Sequence, residues 1–155
     1  MNLVYVNFNS IPDNKILEGI IKLHNSVFGD TDNLIDQMTS KTQLLINIAL
    51  DDTKVIGYKI GYALDNDKFY SWLGGVDANY RNYGVASKLM EKQHQYLRRN
   101  GYKVVQTKTK NKWRSMLILN IKSGFDVIGT NNDDKGEPKI ILEKNLFTGA
   151  SLENY

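Results

Sequence analysis

The sequence predicts a single α/β (α+β) domain built on a mixed sheet, and three observations support this fold class. The chain has 155 residues, which suits one domain with a sizeable core. Its composition is ordinary for a globular protein, with 41% hydrophobic and 24% charged residues. Its hydrophobic periodicity switches between that of strands and that of helices, in the order β-α-α-β-β-β-α-β-α-β-β.

A strand and two helices are predicted for the first part of the chain. Residues 3–8, LVYVNF, alternate and are rich in β-branched and aromatic side chains, which is typical of a strand. The apolar spacing that follows predicts a helix with Ser10 or a neighbour as its cap, Pro12 in its first turn and Gly29 at its end. A short second helix, DNLIDQM, is expected after Thr31.

Three strands are predicted next, over residues 43–50, 55–64 and 69–76. In the first two, every second residue is large and apolar, as expected for a strand with a buried face. Polar turns, DDTK and LDNDK, separate the three segments. The third strand, FYSWLGGV, contains two adjacent glycines near its end, where a strand can bulge.

Helices and strands alternate in the rest of the chain. An apolar stripe predicts a helix over 85–100 that ends at Gly101, and YKVVQTKT at 102–109 is typical of a strand. Residues 114–123 predict a short apolar helix, which Gly124 ends. FDVIGT and KIILEK are predicted to be strands joined by the polar loop NNDDKGEP.

Composition and charge exclude several classes of protein. The chain has no cysteine, so it has no disulfide, no thiolate nucleophile and no Cys-based metal site, and no metal is predicted. The first residues do not resemble a signal peptide, and no apolar run approaches the length of a membrane span. The net charge of +3 is too small to indicate nucleic acid by itself. We therefore expect a soluble, cytoplasmic protein.

The stretch RNYGVASKLM, residues 81–90, places a glycine at the start of a helix. Glycine costs about 1 kcal/mol relative to alanine in a helix interior. The N-terminus of a helix presents unpaired N–H groups and a partial positive charge, and glycine lets a phosphate approach the backbone closely. The Walker pattern and the dinucleotide fingerprint are both absent. On the residues alone, a phosphate cradle and a simple turn glycine remain equal alternatives.

Two motifs carry a resemblance to a known family. VDANYRNYGVA resembles the acetyl-CoA-binding signature of the GNAT family of N-acetyltransferases, in which a strand ending in Val precedes Tyr-Arg and R/Q-x-x-G-x-G/A. NKWRSMLILNIKSGF resembles the family's later motif, an Asn, a short helix and Gly-Phe. The element order is also the family's own. The resemblance implies one N-acetyltransferase domain over 1–155, with a mixed, mostly antiparallel sheet of six to seven strands flanked by about four helices.

The resemblance implies acetyl-CoA as co-substrate and assigns residues to it. The pantetheine arm would pair with the strand end at Gly75, and the Val76 N–H would bind the acetyl carbonyl and stabilise the oxyanion of a tetrahedral intermediate. Asn111 matches a position that contacts the cofactor, a role compatible with a helix cap or a turn. The residues implied to bind the pyrophosphate are Arg81, Asn82, Tyr83, Gly84, Val85 and Ala86.

The acid and the base of the reaction stay open at this level. The family usually has a Tyr in the short helix as general acid, and the alignment puts Asn120 there. An amide cannot act as an acid, so Asn120 is predicted either to hydrogen-bond the departing thiolate or to be a polar lining residue. The strand before the signature has no carboxylate to act as base. His24 is expected to be packed or at the surface and His94 to be exposed. Deprotonation by water, or an amine substrate with a low pKa, is therefore an equal alternative to a named base.

The acceptor amine is expected opposite the cofactor, between the first two helices and the middle strands. Tyr58, Tyr70 and Trp72, with Tyr62, either line a slot for a partly apolar or cationic amine or pack the sheet. The basic segment TKTKNKWR is predicted to be a solvated strand end, with single-stranded nucleic acid and the 3′-phosphate of CoA as alternative contacts.

The sequence thus predicts an N-acetyltransferase that acts on a primary amine of a small molecule or peptide, by direct attack in a ternary complex. The alternative is an acyl-CoA-binding module without turnover. Homodimers are common in the family, so a homodimer is consistent with the resemblance.

Overall fold

The computed structural model describes residues 1–29 and 33–147. The described part contains seven strands and four α-helices in the predicted order. The expected start of the second helix after Thr31 lies partly outside the described residues. The elements are β1 Leu3–Phe8, α1 Asn14–Phe28, α2 Leu34–Thr39, β2 Leu45–Asp51, β3 Lys54–Ala63, β4 Lys68–Val76, α3 Val85–Arg99, β5 Val104–Thr109, α4 Arg114–Lys122, β6 Asp126–Asn132 and β7 Pro138–Asn145.

The strands form one seven-stranded sheet in the order β1-β2-β3-β4-β5-β7-β6. β4 and β5 run parallel over the pairs from Lys68–Val104 to Ser71–Thr107. The pairs β1–β2, β2–β3, β5–β7 and β6–β7 are antiparallel. The predicted mixed, mostly antiparallel sheet with four helices is confirmed, and no helix of the described residues is long and apolar enough to cross a membrane.

The chain packs as two compact units, and β4 contributes to both. The first unit contains residues 1–63 and 72–95, and the second contains 64–71 and the chain from 96 onward. In the second unit, β4 and β5 are joined by ring packing between Phe69 and Tyr102, whose centroids lie 5.3 Å apart.

Helices cover both faces of the first unit's strands. On one face α1 approaches β3 so closely that a Cβ at Gly19 would lie 2.8 Å from Val55 Cγ2. On the other face α3 is equally close, because a Cβ at Gly57 would lie 2.8 Å from Val85 Cγ1. Each glycine therefore lets a helix seat against the sheet, and the apolar side chains around it are removed from water.

The start of α1 corrects one prediction. The N-cap was predicted at Ser10 or a neighbour, and it is Asp13, whose Oδ1 accepts a hydrogen bond of 3.1 Å from the Ile16 N–H. Pro12 therefore precedes the cap instead of lying in the first turn. A capping carboxylate satisfies one of the free N–H groups at the helix start. The predicted end is confirmed, because Gly29 has φ +83° and its N–H donates to the Asn25 carbonyl.

Candidate functional site

β4 has two successive glycines near its end, Gly74 and Gly75, and atoms of neighbouring residues lie close to both. A Cβ at Gly75 would lie 3.1 Å from Tyr58 Cε1 and 3.3 Å from Val27 Cγ2. A Cβ at Gly74 would lie 3.4 Å from the Tyr58 carbonyl oxygen and 3.8 Å from Lys59 Cγ. Close packing against Tyr58 and Val27 therefore accounts for Gly75, whereas a Cβ at Gly74 would make only ordinary van der Waals contact. Gly75 nevertheless stays partly exposed to solvent.

Strict alternation does not hold in β4 just before these glycines. A regular strand sends successive side chains to opposite faces. Trp72 and Leu73 are consecutive, yet both pack against the apolar cluster that contains α1, α2, β2 and β3 residues. This irregular packing comes directly before Gly74 and Gly75, the pair at which the sequence predicts that the strand can bulge.

Val76 connects the end of β4 to the beginning of α3. Its side chain packs against the buried cluster of Ala49, Ile56, Val85 and Leu89. The Asp77 N–H donates to the Ile56 carbonyl at 2.8 Å, which holds the chain to β3 where β4 ends. The Asp77 carboxylate then accepts from the Asn79 N–H and caps a short 3-10 turn. Asp77 is therefore a loop residue that follows β4.

Tyr80 fixes the loop between β4 and α3. Its hydroxyl donates a hydrogen bond of 2.6 Å to Asp51 Oδ2 at the end of β2. This bond raises the pKa of Tyr80 and lowers the pKa of Asp51. The ring also packs against the cluster around Val85. Tyr80 thus packs and anchors the loop.

The four residues before α3 form an exposed loop with two left-handed residues. Asn82 has φ 69° and Gly84 has φ +75°. Nothing lies within 4 Å of the position that a Cβ at Gly84 would take. The Gly84 carbonyl accepts the first helical hydrogen bond, from the Lys88 N–H, so Gly84 is the N-cap. The N–H groups that follow have no acceptor within the helix and point outward at its positive end.

Three of the predicted site residues belong to the second unit. Tyr70 is partly buried on β4, and Lys108 Nζ lies 5.8 Å from the centre of its ring. Asn111 is exposed in the turn between β5 and α4. It is not the helix cap, because Trp113 takes the N-cap position of α4. Asn120 lies on α4 and is buried.

Two aromatic residues predicted near the acceptor already hold a cation. The rings of Tyr62 and Trp72 meet edge to face with centroids 5.8 Å apart. Lys41 Nζ lies 4.6 Å from the first centroid and 4.8 Å from the second. The cation that these rings were expected to attract therefore comes from the chain itself.

Both histidines are buried, which makes the expectation of an exposed His94 wrong. The apolar stripe of α3 is wider than the spacing of its large apolar residues suggests, and it takes in Gln93 and His94. His24, on α1, is hydrogen-bonded through Nδ1 to the Tyr58 hydroxyl. Burial lowers the pKa of His24 and raises the pKa of Tyr58. Tyr58 itself is only 1% exposed and lies beneath Gly75.

Sequence reasoning missed a buried lysine on β3. Lys59 is 9% exposed, and burial lowers its pKa to about 8. No ion pair or hydrogen bond within residues 1–29 and 33–147 involves its amine. Its cross-strand neighbour Asn47 is also buried, and the Asn47 Oδ1 has no hydrogen-bond partner among the described residues. The sequence did contain a signal for this buried polar pair, namely one polar residue inside each of two otherwise apolar strands.

The basic segment is partly neutralised by acids in the second unit. Lys110 lies 2.8 Å from both the Asp133 and the Glu137 carboxylates, and Lys112 lies 3.7 Å from Glu137. These bonds raise the pKa of Lys110, and Lys110 lowers the pKa of Asp133 to about 2. A nucleic acid would have to compete with these carboxylates for the two lysines.

Comparisons with known proteins agree with this arrangement. Solved structures with the same fold include a GNAT family acetyltransferase from Elizabethkingia anophelis with acetyl-CoA bound (16% identity, TM-score 0.76, covering 93% of this chain and 98% of that one). They include the ribosomal-protein-S18-alanine N-acetyltransferase from Escherichia coli (15% identity, TM-score 0.75, covering 91% of this chain and 94% of that one). An aminoglycoside 6′-N-acetyltransferase complexed with coenzyme A also matches (11% identity, TM-score 0.77, covering 93% of this chain and 97% of that one).

The family of the chain follows from its sequence. No curated protein matches the chain. The sequence model described as "Acetyltransferase (GNAT) family" matches residues 19–114, which is more than half of the chain and runs from α1 through β4 to the first residue of α4. The chain therefore belongs to the GNAT family of acetyltransferases.

Proposed function

We propose that the protein transfers the acetyl group of acetyl-CoA to a primary amine of a small molecule or peptide, by direct attack in a ternary complex. Its co-substrate is acetyl-CoA, since structural relatives of this family were crystallised with acetyl-CoA or coenzyme A. The observation that carries the proposal is the left-handed Gly84 at the start of α3, at the end of an exposed loop.

The loop 81–84 and the first turn of α3 are proposed to bind the pyrophosphate. Free N–H groups and the positive end of the helix attract an anion, and turns with left-handed residues can aim successive N–H groups at one oxygen cluster. The open space beside Gly84 leaves room for it. Arg81 is exposed and able to add charge. The proposed ligands are Arg81, Asn82, Tyr83, Gly84, Val85 and Ala86.

The acetyl group is proposed to lie at Gly75 and Val76. The Val76 N–H would donate to the acetyl carbonyl and strengthen that bond as the carbonyl becomes an oxyanion. The Val76 side chain packs against the cluster that contains Val85, which links this donor to the start of α3. A rigid link of this kind keeps the donor in place, which is the property that electrostatic stabilisation needs.

The acceptor side is proposed to include Tyr58, Tyr70 and Trp72, and the cofactor side Asn111. Gly75 is partly exposed above Tyr58, and Trp72 lies in the same unit on the same strand as Gly75. Asn111 is exposed in its turn, so its amide is able to face a ligand.

Asn120 is proposed to donate a hydrogen bond to the departing thiolate. With a thiol pKa of about 8.5, the sulfur can leave as a thiolate that needs no acid. In Asn120→Ala we expect kcat to fall about tenfold, the worth of one hydrogen bond to a developing charge. Acetyl-CoA affinity by calorimetry and Tm serve as controls for a folded, loaded protein. An unchanged kcat would reduce Asn120 to a lining residue.

A thiol-release assay tests the function itself. The panel consists of an aliphatic diamine, an aminoglycoside and a peptide with a free N-terminal alanine, with calorimetry of acetyl-CoA in parallel. We expect binding and amine-dependent release of CoA. Binding without release on any amine would favour the acyl-CoA-binding module, for which the absent β4 carboxylate and the Asn at position 120 are the supporting observations.

A further inference from the structure

We propose that Tyr58 and His24 form the proton acceptor for the attacking amine, with Tyr58 as the catalytic group and His24 as the residue that positions it and takes its proton. This inference rests on the proposed function. It supplies the base that the strand before the signature lacks, since residues 72–76 contain no carboxylate.

The two side chains form one hydrogen-bonded unit between a helix and a strand. The His24 Nδ1 is bonded to the Tyr58 hydroxyl across 34 positions of sequence. The rings meet nearly edge to face with centroids 5.8 Å apart, and Phe28 packs on the His24 ring at 5.0 Å. The proposal uses the tautomer in which the phenol donates to Nδ1 and the histidine carries its own proton on Nε2.

The surroundings keep the pair uncharged at neutral pH. The hydrophobic cluster that contains Tyr58 consists of aliphatic and aromatic side chains, with buried members from α1, α2, β2 and β3. The next lysine on β3, Lys59, packs beside Gly74 instead of Gly75. Burial is the sole cause acting on either group, and it lowers the pKa of His24. A neutral imidazole is the form that can accept a proton.

The position of Tyr58 relates the pair to the reaction. Its hydroxyl lies 3.5 Å from the place that a Cβ of Gly75 would occupy. Gly75 is partly exposed and directly precedes Val76, whose N–H is proposed to hold the acetyl carbonyl. An amine approaching that carbonyl over Gly75, which has no side chain, is proposed to reach the buried hydroxyl directly or through one water.

The proposed step balances in atoms and charge. The amine lone pair forms the N–C bond to the thioester carbonyl, and the nitrogen becomes positive. One N–H proton passes to the Tyr58 oxygen while the Tyr58 proton passes to His24 Nδ1. The tetrahedral intermediate then collapses, the C–S bond breaks, and the electron pair leaves on the CoA sulfur. The imidazolium afterwards returns its proton through Tyr58 to the thiolate or to water.

The pH profile of kcat/KM tests the pair. His24→Asn keeps a hydrogen-bond acceptor for Tyr58 but cannot be protonated in this range. We expect kcat to fall about 100-fold, the typical worth of a general base. We also expect loss of the acidic limb that wild type shows below pH 6.5, the ordinary value from which burial lowers the His24 pKa. Tyr58→Phe should show the same loss.

His94→Asn is the matched control, because His94 is equally buried but lies on α3. It should keep the wild-type profile. If the wild-type chain binds acetyl-CoA and acetylates no amine, the proposed function and this inference fall together. If wild type turns over and both variants keep its rate and its acidic limb, the inference alone falls.

Discussion

Gly84→Glu should abolish acetyl-CoA binding and leave the fold intact. The side chain would enter the open space beside the α3 start, where the pyrophosphate is proposed to lie, since nothing else is within 4 Å of that position. Two like charges about 4 Å apart repel by about 4 kcal/mol near a protein surface. Calorimetry should therefore show at least about a 100-fold loss of affinity.

The fold should survive because strain is the main structural cost. A residue other than glycine at φ +75° costs roughly 1–2 kcal/mol. Gly101→Glu is a matched control, because Gly101 follows the other end of α3 with φ +83° and equally open surroundings. It should lose similar stability and keep full affinity for acetyl-CoA. Retained affinity in Gly84→Glu would overturn the phosphate-site proposal.

Lys59→Met should stabilise the protein by about 3 kcal/mol at pH 7. Burial lowers the pKa of Lys59 from 10.5 to about 8, and a difference of one in pKa between the folded and the unfolded chain corresponds to about 1.4 kcal/mol. The folded protein therefore bears the cost of a buried ammonium at every pH below 8. Methionine has a similar volume and no charge, so it removes that cost and keeps the packing. Tm should rise by roughly 6–12 °C.

The pH dependence of the free energy of unfolding tests whether the buried Lys59 ammonium is the cause of this cost. Between pH 8 and 10.5 the folded chain has released the Lys59 proton while the unfolded chain still holds it. The unfolded state then binds more protons, so the free energy of unfolding due to this group rises with pH across that window. Lys59→Met should lack the rise. Lys92→Met, at an exposed position of α3, should leave stability and its pH dependence unchanged, and a flat wild-type response would contradict the buried charge.

Local signals in the sequence were enough for the elements and for the signature. The helix start at Val85, the stop at Gly101 and the strand ending at Val76 each depend on a few neighbouring residues, and the structure has all three. The cap of α1 was predicted only as Ser10 or a neighbour, because several capping residues lie close together, and Asp13 takes it. The order of elements then indicated the sheet.

Contacts between distant residues were beyond sequence reasoning. The bond between His24 and Tyr58 depends on how α1 crosses β3, which no local pattern encodes. Alternation in β3 separated its two faces only in part, because it puts Ile56 with Tyr58, whereas Ile56 packs in the cluster that contains Val85 and Leu89. It also gave no sign that Lys59 would be buried. His94 is also buried, although its polar neighbours had suggested that it would be exposed.

Lys41 alters what the aromatic pair of Tyr62 and Trp72 can offer to an amine. Its ammonium already lies over both rings. A cationic ligand that used these rings would have to replace Lys41, whose charge would then return to solvent. The gain would be the difference between two cation–π contacts, each worth about 0.5–2 kcal/mol. An amine therefore binds these rings only in exchange for Lys41. Because Lys41 belongs to the same chain, it competes at a fixed, high effective concentration and lowers the apparent affinity for the amine.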